Sequence, residues 1–402
     1  MRLSVDPNRV LSDLRELARF GPYKTGVHRP TFSDEDVAAR RWFAGKLSEA
    51  GLDSSIDGIG NVYGLCPGPG PKILTGSHLE SQNHAGWLDG ALGMVFALEA
   101  ARAIGRGVDV AAWCDEEGHF GSFIGSRSFT GLLEEAEIDR LANRYDGTPL
   151  RDALARAGLA GVARRQVEPG RYRGFVEAHI EQGANLEQSG LKIGVVTAIV
   201  AIWQYRVSAT GEQNHAGTTS MARRRDAGLA LVRLLGEIDR RFPDLAGPAS
   251  VWTTGRITLE PGAPSIIPGK ASMLFQFRDA NPAVLDRLDA ELRRLVAEAS
   301  AHGPCPMEIE VLGQSRPALM DEGLQSLIAA AAERLRPGCS VRMPSGAGHD
   351  AQYLARVMPA AMMFVPSIGG ISHHWSENTA DEDIVLGAEV YCHAVAAALE
   401  AA

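Results

Sequence analysis

The sequence predicts an α/β fold, a mostly parallel mixed sheet flanked by helices, with a compact α+β segment inserted into it. Three observations carry this. Short apolar runs at 72–74, 108–114 and 173–176 alternate with helical stretches, the pattern of a parallel sheet. At 402 residues the chain exceeds what one hydrophobic core supports, so two domains are expected. From residue 204 the character changes to strands (205–209, 250–257, 271–278, 307–312) paired with two long helices (224–242 and 282–301). The expected organisation is therefore a discontinuous domain of 1–203 and 318–402 and an inserted domain of 204–317.

Each element has a local reason. Residues 7–19 and 34–50 show helical periodicity, and Ser33 with Asp36 forms a capping start for the second helix. A strand at 60–64 leaves a turn. The run 72–74 enters a glycine-rich loop, TGSHLESQNHAGWLDG, and a helix follows at 91–104. The strand 108–114 ends on the acidic string DEEG, and the strand from 173 leads into AHIEQG. Residues 134–165, rich in Ala, Leu and Arg, read as helical. A loop, GEQNHAGTTSM, opens the insert, and a Pro/Gly-rich loop spans 261–269. After a helix at 323–335 come GAGHDA, a strand at 361–365 and GGISHHWSE. No internal repeat or low-complexity stretch is present.

Composition narrows the function. A net charge of −9 argues against a nucleic-acid partner, and Arg223–Arg225 is too short a basic cluster to reverse that. No stretch approaches the ~20 apolar residues of a membrane span. The start, MRLSVDPNRV, has no apolar signal core. The five cysteines are scattered, odd in number and without CxxC spacing, as expected of reduced thiols in a cytoplasm. The Gly-rich loops match neither the P-loop nor a GxGxxG string.

His78, Asp89, Glu117, His179 and His373 fall at predicted strand ends or helix starts. In open α/β sheets that edge borders the ligand crevice. His and carboxylate groups delivered there suit a pair of divalent ions sharing one carboxylate. Glu116, beside one of these ligands, suits a general base toward water. For the loop around His78 alone, a polar surface loop with an ordinary His competes, and the same holds for each residue singly. His84, His119 and His374 read as neighbours of ligands. For His349 and Asp350 two readings stand, a site role and a buried packing role. Cys114 reads as an inert buried thiol.

The strings GSHLES…GWLDGALG, DEEG, AHIEQG, NHAGTTSM, GAGHDA and GGISHHWSE, in this order, resemble the hydantoinase/carbamoylase branch of the dizinc exopeptidase superfamily. That branch contains N-carbamoyl-L-amino-acid hydrolases, β-ureidopropionases and allantoate amidohydrolases, and the resemblance runs from about residue 10 to 395. It implies a di-metal catalytic domain plus a smaller lid domain that also forms a homodimer. By the resemblance, Asp89 bridges two divalent ions, zinc or else manganese, cobalt or nickel. His78, Glu117, His179 and His373 complete the ligands, Glu116 is the base, and His215 reaches the site from the lid to stabilise an oxyanion. Gln182 and Arg278 hold the substrate, Arg278 pairing with its carboxylate.

The chain departs from the pattern in three places. Glu80 stands where relatives carry Asp; residues i and i+2 of an extended segment share a face, so its carboxylate is expected to orient His78. Ser265 occupies the place of a substrate-binding Asn. DEEGHFG is one loop residue short, with His119 near the missing Arg. The implied activity is hydrolysis of a linear, non-peptide C–N bond, foremost an N-carbamoyl-L-amino acid to amino acid, ammonia and carbon dioxide. Allantoate-type hydrolysis and N-acyl-amino-acid deacylation are the alternatives within the chemistry. A metal- or small-molecule-binding relic is the alternative outside it.

Overall fold

The computed structural model of the protein describes residues 3–401. The chain forms two compact units: one is Ala198–Ala318, and the other is built from the chain on either side of it.

In the larger unit four strands run parallel at the centre of the sheet: Ala360–Val365, Tyr172–Ile180, Lys72–His78 and Val108–Trp113. Antiparallel strands flank them, Ile193–Ile199 on one side, Val62–Leu65 and then Asp53–Ile56 on the other. All seven residues of Lys72–His78 are buried, which is why that strand reads as an unbroken run with no alternation. From it the chain crosses through the helix Ala91–Ile104 to Val108–Trp113 on one side. Its other neighbour, Tyr172–Ile180, continues the sheet in the opposite direction. The order of strands therefore reverses beside Lys72–His78, and the crevice beyond such a reversal is where α/β sheets bind ligands.

The helix Ala91–Ile104 is buried nearly all round. Its one buried charge, Glu99, is held by both arms of the Arg9 guanidinium, at 2.7 and 2.8 Å. The helix Asp34–Glu49 starts as expected: Ser33 accepts the amide of Asp36, and the Asp36 carboxylate accepts that of Phe32.

The smaller unit is a four-stranded antiparallel sheet, in the order Val251–Glu260, Lys270–Asp279, Ala201–Thr210, Met307–Gln314. The helices Ala227–Arg241 and Pro282–His302 cover one face, with a core of its own around Tyr205, Phe242, Phe275 and Phe277.

The structure differs from the sequence expectation in one stretch and adds two elements. Within 134–165 only Glu135–Ile138 and Leu150–Arg156 are helical, because Gly147, Pro149, Gly158 and Gly161 interrupt the stretch. The buried strand Ile193–Ile199 and the helix Asp381–Glu400 occupy stretches given no element by the sequence reading. Among the described residues no helix is long and apolar enough to cross a membrane.

Candidate metal centre

His78 is the last residue of its strand, and His179 the last but one of the strand beside it. Their rings point into the crevice with their tautomers fixed. The Nδ1 of His78 lies 3.0 Å from the carbonyl of Glu80, and that of His179 lies 3.0 Å from the carbonyl of Ile180. A carbonyl only accepts, so Nδ1 carries the hydrogen in both rings and Nε2 is left as the acceptor.

Both Nε2 atoms face the same oxygen. Asp89 Oδ1 lies 3.5 Å from that of His78 and 3.0 Å from that of His179. The other Asp89 oxygen lies 3.3 Å from His373 Nε2, which is also 3.5 Å from Glu117 Oε2. Two groups result, His78–Asp89–His179 and Asp89–Glu117–His373, each with ligand atoms within 4.8 Å of one another. Asp89 is common to both.

The fit to cations follows from these contacts. A neutral imidazole lone pair aimed at a carboxylate oxygen is repulsive unless positive charge stands between them. The Nε2 of His78 is buried with no hydrogen-bond partner in the structure. In the absence of a metal, protons meet the same need for positive charge. Burial pulls His78 and His179 down, but surrounding carboxylates outweigh it and raise both. The Asp89 hydrogen bond lifts His373 to about 9. Burial pushes Glu117 up to about 7 and Glu116 well above the carboxylate range. The cluster holds protons where divalent ions would be held by His78, Asp89, His179, Glu117 and His373.

Glu116 sits at the edge of this cluster, 9% exposed, with Oε2 3.8 Å from His78 Nε2. The Glu80 expectation is overturned. Its carboxylate makes no hydrogen bond to His78, which takes the Glu80 carbonyl instead, and pairs with Arg40. The strand stops at His78, so the same-face rule for extended segments does not reach residue 80. Gln182 lies inside the second group: its amide nitrogen is 3.1 Å from Asp89 Oδ2 and 3.2 Å from His373 Nε2. Its amide donates to Asp89 in the space between that carboxylate and the His373 ring.

His215, Ser265 and Arg278 belong to the smaller unit. The two-residue strand Asn214–His215 pairs with Ile266–Ile267, and the Ser265 carbonyl accepts the amide of Ala216 at 2.9 Å. His215 Nδ1 accepts the amides of Gly217 and Thr218, at 3.0 and 3.2 Å, so its Nε2 carries the hydrogen. Arg278 lies half-buried near the end of Lys270–Asp279, opposite Ile202 and Val251.

Several supporting residues were not foreseen. Gln82 donates to Glu117 through its side chain at 3.0 Å. Glu377 accepts the amides of Leu88 and Asp89 and the Ser372 hydroxyl. His349 is buried against the His179 ring, 4.7 Å between centroids, and bonded to Ser345. His84 stacks on His28, and His119 is buried against Thr31; neither belongs to a ligand group. Cys114 is fully buried, and burial pushes its thiol well up.

The profile of Peptidase family M20/M25/M40 matches residues 80–397. The chain belongs to this family. Among M20 relatives it is 33% identical to the N-carbamoyl-L-amino-acid amidohydrolase of Paenarthrobacter aurescens, over 95% of each chain. It is also 33% identical to the allantoate amidohydrolase of Bacillus subtilis (strain 168), over 96% of each. A crystal structure of an amidase of the hydantoinase/carbamoylase family from Burkholderia phymatum superposes with a TM-score of 0.93, at 47% identity over 98% of each chain. The resemblance read from the sequence motifs is thereby confirmed. The M20 chain is an amidohydrolase, and the two acid–imidazole groups suit the metal dependence of its family.

Proposed function

We propose that this M20 amidohydrolase cleaves the carbamoyl C–N bond of an N-carbamoyl-L-amino acid or a related ureido acid, giving the amino acid, ammonia and carbon dioxide. The observation that carries the reading is Asp89 shared between two ligand groups, with the Glu116 carboxylate beside them. Two divalent ions held there, zinc or else manganese, cobalt or nickel, would supply Lewis acidity toward the scissile carbonyl and toward water.

The chain's residues do the rest. Glu116 takes a proton from the attacking water and returns it to the leaving amino nitrogen as its bond to the carbamoyl carbon breaks, and the carbamate so released falls apart to ammonia and carbon dioxide. His215, with its hydrogen on Nε2, donates to the oxygen that gains charge in the tetrahedral intermediate. Gln182, once displaced from between Asp89 and His373, turns its amide to the substrate. Arg278 pairs with the substrate carboxylate, and Ser265 stands where a substrate contact belongs.

The smaller unit supports a homodimer with shared sites. The loop of His215 and Ser265 is tied to the Lys270 end of the sheet, where the amide of Gly211 meets the carbonyl of Gly269 at 2.8 Å. Arg278 is eight residues further along that strand, about 26 Å away at the usual rise. That run, from Lys270 to Arg278, is longer than an N-carbamoyl amino acid. It supports a site in which His215 and Arg278 come from two copies of the chain. We place the enzyme in a reducing cytoplasm, which suits its five free, buried cysteines.

Allantoate is the second reading, favoured by the Bacillus subtilis relative. Ammonia release from N-carbamoyl-L-amino acids, N-carbamoyl-β-alanine and allantoate, run beside amine release from N-acetyl and N-formyl amino acids, separates the readings. Ammonia from a carbamoyl amino acid is the expected result. Turnover of allantoate alone selects the second reading, and amine release from the acyl compounds alone overturns both.

A further inference from the structure

The Glu80 carboxylate, which makes no hydrogen bond to His78, has another task. Its Oε1 accepts the backbone N–H of Glu116 at 2.7 Å, and its Oε2 pairs with Arg40 at 2.6 Å. Arg40 is fixed in turn: Nε donates to Asp36 at 2.8 Å and a terminal nitrogen to the carbonyl of Gly60 at 2.8 Å. The side chains of Asp36, Arg40 and Glu80 are 0%, 2% and 0% exposed. A buried ionic chain of this kind costs several kcal/mol per ion in lost hydration, and its Coulomb energy repays that only with full hydrogen bonding. Stability alone is therefore a poor reason for it. Its geometry supplies a better one, since it ends on the backbone of Glu116.

That backbone needs an external hold. The strand before it stops at Trp113, so no strand partner takes the Glu116 amide. Asp115, immediately before, has a φ of +58°, a left-handed conformation that a non-glycine residue keeps only when its neighbours enforce it. Asp115 is gripped on its far side, where its carboxylate accepts the amides of His119, Phe120 and Gly121. Glu80 supplies the grip on the near side. An Asp at position 80 is one carbon shorter and would hold the Glu116 amide from Arg40 less closely.

We infer that Glu80 and Arg40 are positioning residues for Glu116: the buried Asp36–Arg40–Glu80 chain fixes the backbone from which the base reaches its water. The inference rests on Glu116 being the base.

The test compares E80D, E80Q and R40K with E116Q and the parent enzyme, all metal-reconstituted. Four quantities are read: kcat and KM on the N-carbamoyl amino acid turned over best, bound metal, and hydrogen exchange of the segment 114–118. E80D keeps the charge that Arg40 needs, so it decides the matter if E80Q does not fold. E80D and E80Q are expected to lose about 10- to 100-fold in kcat, with KM and metal content near the parent values and faster exchange at Glu116. R40K, which keeps the charge and loses the fork, should fall between them and the parent. A parent-like kcat with a protected Glu116 amide in E80D overturns the inference, as does metal loss that accounts for the fallen rate. E116Q keeps the two readings apart. If it turns over at the parent rate, the base assignment itself fails; if it is inactive while E80D is fully active, only the positioning inference fails.

Discussion

Glu116 and Gly90 illustrate how much of this site depends on single atoms. Glu116→Gln keeps the size of the side chain and removes its ability to take a proton. It should cost about 10²–10⁴-fold in kcat while the two ligand groups still load with metal. Elemental analysis of the purified variant beside its rate checks both halves. Gly90 follows Asp89 with a φ of +67°, and a Cβ there would lie 2.4 Å from the His78 ring. Gly90→Ala should therefore push the imidazole off its line to Asp89 Oδ1 and add about 1–2 kcal/mol of left-handed backbone strain. Metal affinity is expected to fall about 10-fold or more, read by competition against a chelating dye. Gly86 is confined in the same way by the Glu377 carboxylate, 2.0 Å from where its Cβ would stand.

At the scale of elements, the parallel strands and the loop after Lys72–His78 were legible because burial leaves a plain signature. Apolar runs bounded by glycine gave the helix Ala91–Ile104 its observed ends. The five ligand-type residues were legible because they sit near the ends of such runs or in motif strings. Arg40, Gln82 and Glu377 were not, since they act through backbone amides and carboxylates distant in sequence. Glu80 was misread because its partner is the amide of residue 116, 36 positions away. The ligands stand on two neighbouring strands and on loops far apart in the sequence, so a bound metal would fasten elements together. Removing it leaves His78, His179 and His373 to hold protons among buried carboxylates. Chelation should lower the melting temperature, and ions at 100 times their Kd should return about 2.7 kcal/mol. Loading should also release acid into a weakly buffered solution, because the ions displace those protons.

For the whole molecule, the proposal that His215 and Arg278 reach one site from two copies turns into a test of assembly. If each site draws His215 from one copy and Arg278 from another, then H215A and R278A homodimers are both inactive, lacking one group at every site. A mixed dimer behaves differently. One of its sites receives the intact His215 of one copy and the intact Arg278 of the other, while its second site lacks both. Random exchange makes half the dimers mixed, and half the sites in those are whole, so mixing equal amounts should restore about a quarter of the parent activity. If both groups come from the same copy, every site in the mixture lacks one of them and no activity returns. Unfolding and refolding the two variants together, with each refolded alone as control, gives the answer from a single ammonia assay. A quarter of the parent rate would mean that the lid of one chain completes the site of its partner, and that the monomer is not the catalytic unit.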